Sequence, residues 1–467
     1  MSHSRRIFLA AAAGIAARAQ QRPARRRPPN ILLLFPDQHR HDWTGATKDL
    51  GVKTPNLDAL AKAGTRFTKC TVASPLCAPS RACLASGREY GRNGVRNNGN
   101  DYPLDLPTFY QALREGGYRT GACGKIDLHK ATLDWGIDGK RFLPEWGFTD
   151  GIDNAGKIDA ILSGAKEPRD PYMAYLHQRG LATAHLEDFR RRSAKQSYLY
   201  TDPTPLPEEA YCDNWVAQNG IDILRGFPQA RPWFLQVNFT GPHNPVDITQ
   251  RMVKLCRRRN FPQPFESEEY TAERHTAIRQ NYTAMVENID RWVGAFVEEV
   301  RRRGELENTI IVYSSDHGEM LGDHERWGKS VPFQPATAVP LYISGPGIDR
   351  GVVSDALVSH IDLAATFLDF AAAPKLKEAD SLSLRPLLTG KIKTHREFVR
   401  SGLDRWRMVF DGRYKLVKGF DMDSSKKKRA GDAKPVLYDL KVDPNETSNR
   451  SKDAPNQVER LTALLGP

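Results

Sequence analysis

A small set of side chains in this 467-residue chain could do chemistry, and their types come in complementary pairs. Asp37 and Asp316 are carboxylates, each followed at once by a second donor, the amide of Gln38 and the imidazole of His317. Two carboxylates with an amide oxygen and an imidazole can hold one divalent cation. Oxygen-rich ligation favours Ca2+ or Mg2+, and the imidazole admits Mn2+. Lys125 and Lys329 are point charges suited to an anion. His243 and His129 are groups for proton transfer near neutral pH. Cys77 and Arg81 stand one helical turn apart, with Pro79 where the first turn of a helix tolerates proline. A helix starting there aims its N-terminal dipole at an anion. Taken alone, Cys77 has the alternative reading of a buried cysteine ahead of a helix.

These groups need a frame. Residues 30–35 are a continuous apolar run behind two prolines and predict a buried parallel strand. Residues 118–122, 232–239, 309–314 and 341–344 predict further strands. Segments 57–67, 108–115, 271–303 and 361–372 carry helical spacing, with Gly116-Gly117 and Gly304 as stops. The alternation predicts an α/β fold, a central mostly parallel sheet with helices on both faces. Asp37, Lys125, His243 and Asp316 each fall just past the carboxyl end of a predicted strand, the edge where open α/β sheets bind ligands. Beyond about residue 375 the pattern changes. Residues 408–410 and 415–417 flank Asp411-Gly412 and predict a hairpin. The main domain is therefore placed at 30–374, with a small C-terminal antiparallel sheet subdomain at 375–467. Residues 130–210, rich in Gly, Pro and charge, read as long surface excursions. Trp135, Trp146 and Trp215 read as core or interface, stacking on a ligand being the other reading. His360 and Asp362 read as cap and packing residues, while Asp323 and His324 border the second acidic segment.

Composition narrows the class. Hydrophobic residues at 40% and charged residues at 27% are those of a globular chain, which excludes a collagen-like, coiled-coil or mostly disordered protein. The net charge of +12 suggests a nucleic-acid binder until it is located. Seven of those charges are arginines within residues 1–29, which contain no acid, so the remainder carries only +5. That suits an anionic substrate and gives no reason to expect nucleic acid. The runs at 190–192, 257–259 and 426–429 read as solvated faces, contact with a polyanion being the alternative. Six scattered cysteines without a CxxC pair argue against structural zinc. Ser4-Arg5-Arg6-Ile7-Phe8-Leu9, an apolar run to Ala17 and Ala17-Arg18-Ala19 form a twin-arginine signal peptide over 1–19, followed by a linker at 20–29. The expected location is periplasmic or secreted, reached through the twin-arginine export machinery. The apolar run is too short to cross ~30 Å of hydrocarbon, and no later segment predicts a membrane span.

The segment Cys77-Ala78-Pro79-Ser80-Arg81 resembles the Cys-x-Pro-x-Arg motif of the type I, formylglycine-dependent sulfatases of the alkaline phosphatase superfamily. The resemblance covers most of the chain. Pro29 through Asp37-Gln38 is similar to the first metal-binding strand, and Gly124-Lys125 with His129 to the Gly-Lys-x-His region. Thr240-Gly241-Pro242-His243-Asn244-Pro245 is similar to the Pro-His-x-Pro turn. Ser315-Asp316-His317-Gly318-Glu319 through His324, with Trp327-Gly328-Lys329, is similar to the second metal segment and its lysine. Asp411-Gly412-Arg413-Tyr414-Lys415-Leu416 and Leu437-Tyr438-Asp439-Leu440 are similar to the C-terminal signature. Asp37-Gln38 stands where the family often has two aspartates, and His317 where it often has asparagine. This pairing resembles the branch with choline-sulfatases and phosphonate monoester hydrolases. Three residues separate Lys125 from His129, where many relatives have one or two.

The resemblance implies a fold, a cofactor set and roles. Cys77 would be oxidised to formylglycine by a sulfatase-maturing enzyme before export. Asp37, Gln38, Asp316, His317 and residue 77 would hold one divalent metal, Ca2+ first, with Mn2+ or Mg2+ open. Arg81 would anchor the aldehyde hydrate, and Lys125 and Lys329 would bind sulfate oxygens. Asp316 or a nearby group would take the proton of the attacking hydroxyl. His243 would protonate the leaving alcohol, and His129 would take the second proton as sulfate departs. The substrate would be a sulfate monoester of a carbohydrate or of a small alkyl or aryl alcohol. The alternative is a phosphonate monoester or phosphodiester hydrolase on the same scaffold. A binding protein without turnover and a polyanion-binding module are further readings.

Overall fold

The computed structural model describes residues 27–47, 50–194, 196–421 and 434–465. The signal peptide, most of the linker and the basic run at 426–429 lie outside the described residues.

An eight-stranded sheet forms the middle of the main domain. Its strands are β1 (Asn30–Leu34), β2 (Gly64–Phe67), β4 (Arg119–Gly124), β5 (Asp150–Asp153), β6 (Trp233–Asn238), β7 (Thr309–Tyr313), β8 (Leu341–Ser344) and β9 (Val352–Ser354). The short strands β3 (Cys70–Thr71) and β10 (Val358–Ser359) pair separately. The order across the sheet is β5-β4-β6-β1-β7-β8-β2-β9. The strands from β5 to β7 are all parallel, while β8 runs antiparallel to both of its neighbours.

β1, β6 and β7 are buried along their whole lengths, as strands covered on both faces must be. Their side chains alternate between two cores. Ile31, Leu33 and Phe35 face one core, with Ala82 and Ala85 of the helix Cys77–Ser86 and Phe367 of the helix Asp362–Ala371. Leu32 and Leu34 face the other, with Val216 of the helix Cys212–Gly226 and Ile289 and Val293 of the helix Ala272–Arg302.

Two expectations are corrected. The segment 57–67 is not one helix: the helix Pro55–Ala63 ends at Gly64, which opens β2. A Cβ on Gly64 would lie 2.1 Å from the Ile343 carbonyl oxygen, so only glycine lets β2 pair with β8 at that point. Residues 130–210 are not surface excursions either. They contain β5, which edges the sheet, and the helices Lys157–Gly164, Pro171–Gln178 and Ala182–Ala194. Trp135, Trp146 and Trp215 are buried in the two cores and serve packing. Among the described residues no helix is long and apolar enough to cross a membrane.

The C-terminal sheet is β11 (Val399–Leu403), β12 (Trp406–Phe410), β13 (Tyr414–Lys418) and β14 (Val436–Asp439), all antiparallel. The expected hairpin is β12 to β13, turning at Asp411-Gly412. The helix Pro455–Leu465 covers one face through Leu461 against Val409, Leu416 and Leu437.

Candidate active site

β4, β6, β1 and β7 are consecutive and parallel, so their carboxyl ends stand side by side ~5 Å apart. The residues that follow are Lys125, the turn with His243, Asp37-Gln38 and Asp316-His317. One face of this edge receives the N-terminus of the helix Cys77–Ser86, whose first residue is Cys77. Helix and sheet edge are joined by Ser80 Oγ, which donates to the Asp316 carbonyl, while His360 Nε2 lies 3.1 Å from Ser80 Oγ and its Nδ1 accepts from Ala73 N at 3.1 Å.

Asp37, Cys77, Asp316 and His317 present donor atoms that all lie within 4.8 Å of one another, and all four residues are buried. His317 Nε2 is 3.3 Å from Cys77 Sγ, 3.6 Å from Asp37 Oδ1 and 3.7 Å from Asp316 Oδ1. Lys329 Nζ stands 4.0 Å from Asp37 Oδ1 and donates to Gln38 Oε1 at 2.5 Å. Lys125 Nζ contacts Asp37 Oδ2 directly and Asp127 Oδ2 at 2.9 Å.

Two carboxylates this close and this buried are stable only with positive charge around them. Arg81 supplies much of it. Its Nε and one terminal nitrogen lie 2.9 Å from Asp316 Oδ2, and the same terminal nitrogen is 3.3 Å from Asp37 Oδ2. Its other terminal nitrogen donates to Asn238 Oδ1 at 3.0 Å. Burial raises the Asp37 carboxyl, but Lys125, Lys329, His243 and His317 outweigh it and hold the group well below the usual range. Burial and Asp37 push the Cys77 thiol up, while Lys125, Lys329 and His317 hold it well below the ordinary thiol value. Burial raises Asp316 against the Arg81 guanidinium. Asp316, expected with a nearby group as the acceptor of a proton, is held on both oxygens by its contacts. Gln38 N and His317 N donate to Oδ1 at 3.0 and 2.9 Å, and Arg81 occupies Oδ2, so Asp316 is an anchor.

His243 lies on the turn after β6, where Lys157 Nζ approaches the carbonyls of His243 and Pro245 and pairs with Asp247 at 2.6 Å. The His243 Nδ1–H donates to the Asn244 carbonyl, which leaves Nε2 as the atom that can exchange a proton. Burial and Lys329 lower this imidazole, against Asp37 and Cys77.

The expectation for His129 is corrected. Its ring lies among Trp135, Phe142 and Trp146 at 5.2–5.5 Å, with Asp153 Oδ2 3.5 Å from Nδ1. Burial holds it at about 4. The longer spacing after Lys125 brings Asp127 to Lys125 instead, and Lys130 pairs with the same Asp127 carboxylate at 3.1 Å. Asn238, Glu319 and Tyr198 also belong to this region and carried no expectation. Asn238 ends β6 at the edge already marked as functional, a signal that could have found it. Tyr198 lies in the segment 130–210, where no pattern pointed to it.

The donor set suits a resident divalent ion: two carboxylate oxygens, an imidazole nitrogen and the position-77 side chain lie within 4.8 Å of one another, and the Gln38 amide oxygen is next to them on Lys329 Nζ. The sequence model of the Sulfatase family matches residues 29–373. The chain belongs to the sulfatase family. A second model, N-sulphoglucosamine sulphohydrolase, C-terminal, matches residues 322–465 of this sulfatase. An arylsulfatase of Clostridium perfringens is 26% identical over 465 residues, covering 94% of this chain and 93% of the relative. A choline-sulfatase of Rhizobium meliloti is 27% identical over 466 residues, covering 93% and 84%. The crystal structure of a phosphonate monoester hydrolase of Agrobacterium radiobacter shares the fold, with a TM-score of 0.76, 24% identity and coverage of 93% and 94%. The enzyme is a sulfuric ester hydrolase of alkaline phosphatase-like fold, as its sequence motifs imply.

Proposed function

We propose that this sulfatase carries formylglycine at position 77, holds one divalent cation through Asp37, Gln38, Asp316, His317 and residue 77, and hydrolyses sulfate monoesters of carbohydrates or of small alkyl or aryl alcohols. The observation that carries the reading is the cluster of donor atoms within 4.8 Å at the start of a helix, with two lysines beside it. The aryl and alkyl classes follow the arylsulfatase and choline-sulfatase relatives, and the carbohydrate class follows the match to the N-sulphoglucosamine sulphohydrolase C-terminal model, with the mild positive charge of the body suiting any of them.

When present, the aldehyde hydrate supplies a nucleophilic hydroxyl and the cation a Lewis acid. The chain's own side chains do the rest. Lys125 and Lys329 flank Asp37 and offer their ammonium groups to sulfate oxygens, and the dipole of the helix Cys77–Ser86 adds to that field. Arg81 pairs with both Asp37 and Asp316 and fixes them in place. His243 Nε2 delivers a proton to the departing alcohol oxygen. An arriving anion offsets Lys329 and raises the imidazole toward the protonated form this step needs. Such a transfer contributes ~10²–10⁴-fold.

Ca2+ is the first candidate ion, with Mn2+ and Mg2+ next. The reading extends to maturation and export. Oxidation by a formylglycine-generating enzyme precedes twin-arginine export of the folded protein, on the strength of Arg5-Arg6 and the apolar run behind them. Replacing both arginines by lysine should leave the protein in the cytoplasmic fraction; unchanged export contradicts this part.

The functional test is turnover of one purified sample on an aryl sulfate and on an aryl phosphonate monoester. A higher kcat/KM on the sulfate is expected. A clear preference for the phosphonate would favour the second activity, since the Gln38 and His317 pairing resembles a branch that holds both choline-sulfatases and phosphonate monoester hydrolases.

A further inference from the structure

A neutral amide ligates a cation only through its oxygen, so the Gln38 side chain is useful in one of its two orientations. Its surroundings select that orientation. Oε1 receives the Lys329 ammonium at 2.5 Å, a group that can only donate. Nε2 donates to Glu319 Oε2 and to Tyr198 Oη at 3.1 Å. Turning the amide over would set its oxygen against the Glu319 carboxylate and its NH2 against the Lys329 ammonium. Glu319 is itself fixed: it is fully buried, Leu321 N and Gly328 N donate to Oε1 at 2.8 and 2.6 Å, and Tyr198 Oη donates to Oε2 at 2.7 Å. The Gln38 backbone is held as well, at φ +71°, which L residues rarely adopt. Its N–H donates to Asp316 and its carbonyl accepts from Tyr282 Oη at 2.7 Å.

We propose that Glu319 is a positioning residue that sets the Gln38 amide so that its oxygen, and not its NH2, faces the cation site. The inference rests on the cation site proposed above. It gives a buried acid a task that neither sulfate binding nor proton transfer requires of it. Outer partners of this kind are commonly worth 10–100-fold in metal affinity.

The test is calorimetric titration of the metal-stripped full chain with Ca2+, repeated with Mn2+, for wild type, Glu319→Gln and the exchanged pair Gln38→Glu with Glu319→Gln. In Glu319→Gln the backbone donors keep the new amide oxygen at the Oε1 position. Its NH2 then faces the Gln38 NH2 and turns that amide over. The expected loss of ion affinity is about tenfold or more. The exchanged pair keeps the net charge, restores a donor opposite an acceptor and returns an oxygen to the cation. It should recover to within about threefold of wild type, the coupling a double-mutant cycle reads. An unchanged affinity in Glu319→Gln, or an exchanged pair as weak as the single variant, overturns the inference while the cation site stands. A wild type that takes up neither ion overturns the cation site and the inference with it.

Discussion

At the scale of single residues the site is an electrostatic object. Two buried carboxylates survive because Arg81, Lys125 and Lys329 surround them, and the same cations hold the Cys77 thiol well below its ordinary value. Arg81→Ala removes the group between Asp37 and Asp316, so unfolding by urea should show a loss of about 3–5 kcal/mol. His243→Ala should lower kcat on an aryl sulfate by ~10²–10⁴-fold. His129→Asn should lower it less than about tenfold, because its ring lies among aromatic side chains outside the cluster. Equal losses from the two histidine variants would restore the role that its sequence position suggested. Most of this constellation was legible because each residue type is rare in its context: a carboxylate or a lysine directly after an apolar strand. Glu319 and Tyr198 were not legible. Their importance lies in what they touch across 281 and 121 residues of chain, which no local pattern records.

At the scale of elements, β1, β6 and β7 were read correctly because their burial on both faces leaves near-continuous apolar runs, as in residues 30–35, whereas the half-exposed parallel edge strand β5 was missed. The helix boundary at Gly64 was missed because apolar spacing continues through it, and only the tertiary approach of Ile343 shows why a strand begins there. Residues 130–210 were misread for the opposite reason: their helices carry dense charge, yet Arg192 and Asp188 are buried as a pair at 2.8 Å. Gly124 shows how tightly an element places the site. It ends β4 just before Lys125 at φ +97°, and a Cβ there would lie 2.0 Å from the Asn238 carbonyl oxygen. Gly124→Ala should cost at least ~2 kcal/mol in urea unfolding and should also lower turnover by displacing Lys125.

At the scale of the whole molecule, the C-terminal sheet is tied to the main domain by buried charge. Glu446 pairs with Lys415 at 2.5 Å and accepts from Gln334 N at 2.6 Å, while His324 Nε2 donates to the Asn445 carbonyl at 2.9 Å. Acid should loosen the fold through its buried imidazoles. Burial holds His39, His129, His185 and His360 each at about 4, against about 6.5 in an unfolded chain. The unfolded chain therefore binds protons first, and stability is lost as pH falls from about 6.5 to about 4, by on the order of 3 kcal/mol for each group. Asp170 and Asp290, raised to about 6, act the other way, since protonation relieves their burial over part of the same window. Asp153 and Asp213 are raised in the same direction as these two carboxyls, so the imidazole contribution is read by difference. Relative to His185→Asn, the thermal midpoint of the wild type should fall between pH 7 and pH 5, and scanning calorimetry showing the same pH dependence in both would contradict this.

The proposed chemistry turns on residue 77 acting as an aldehyde hydrate among these groups. Mass spectrometry of the peptide spanning position 77, measured beside aryl sulfate turnover in preparations made with and without a formylglycine-generating enzyme, tests it most directly. The aldehyde fraction should rise and fall in proportion to kcat. Full turnover from a protein whose Cys77 is entirely thiol would contradict it.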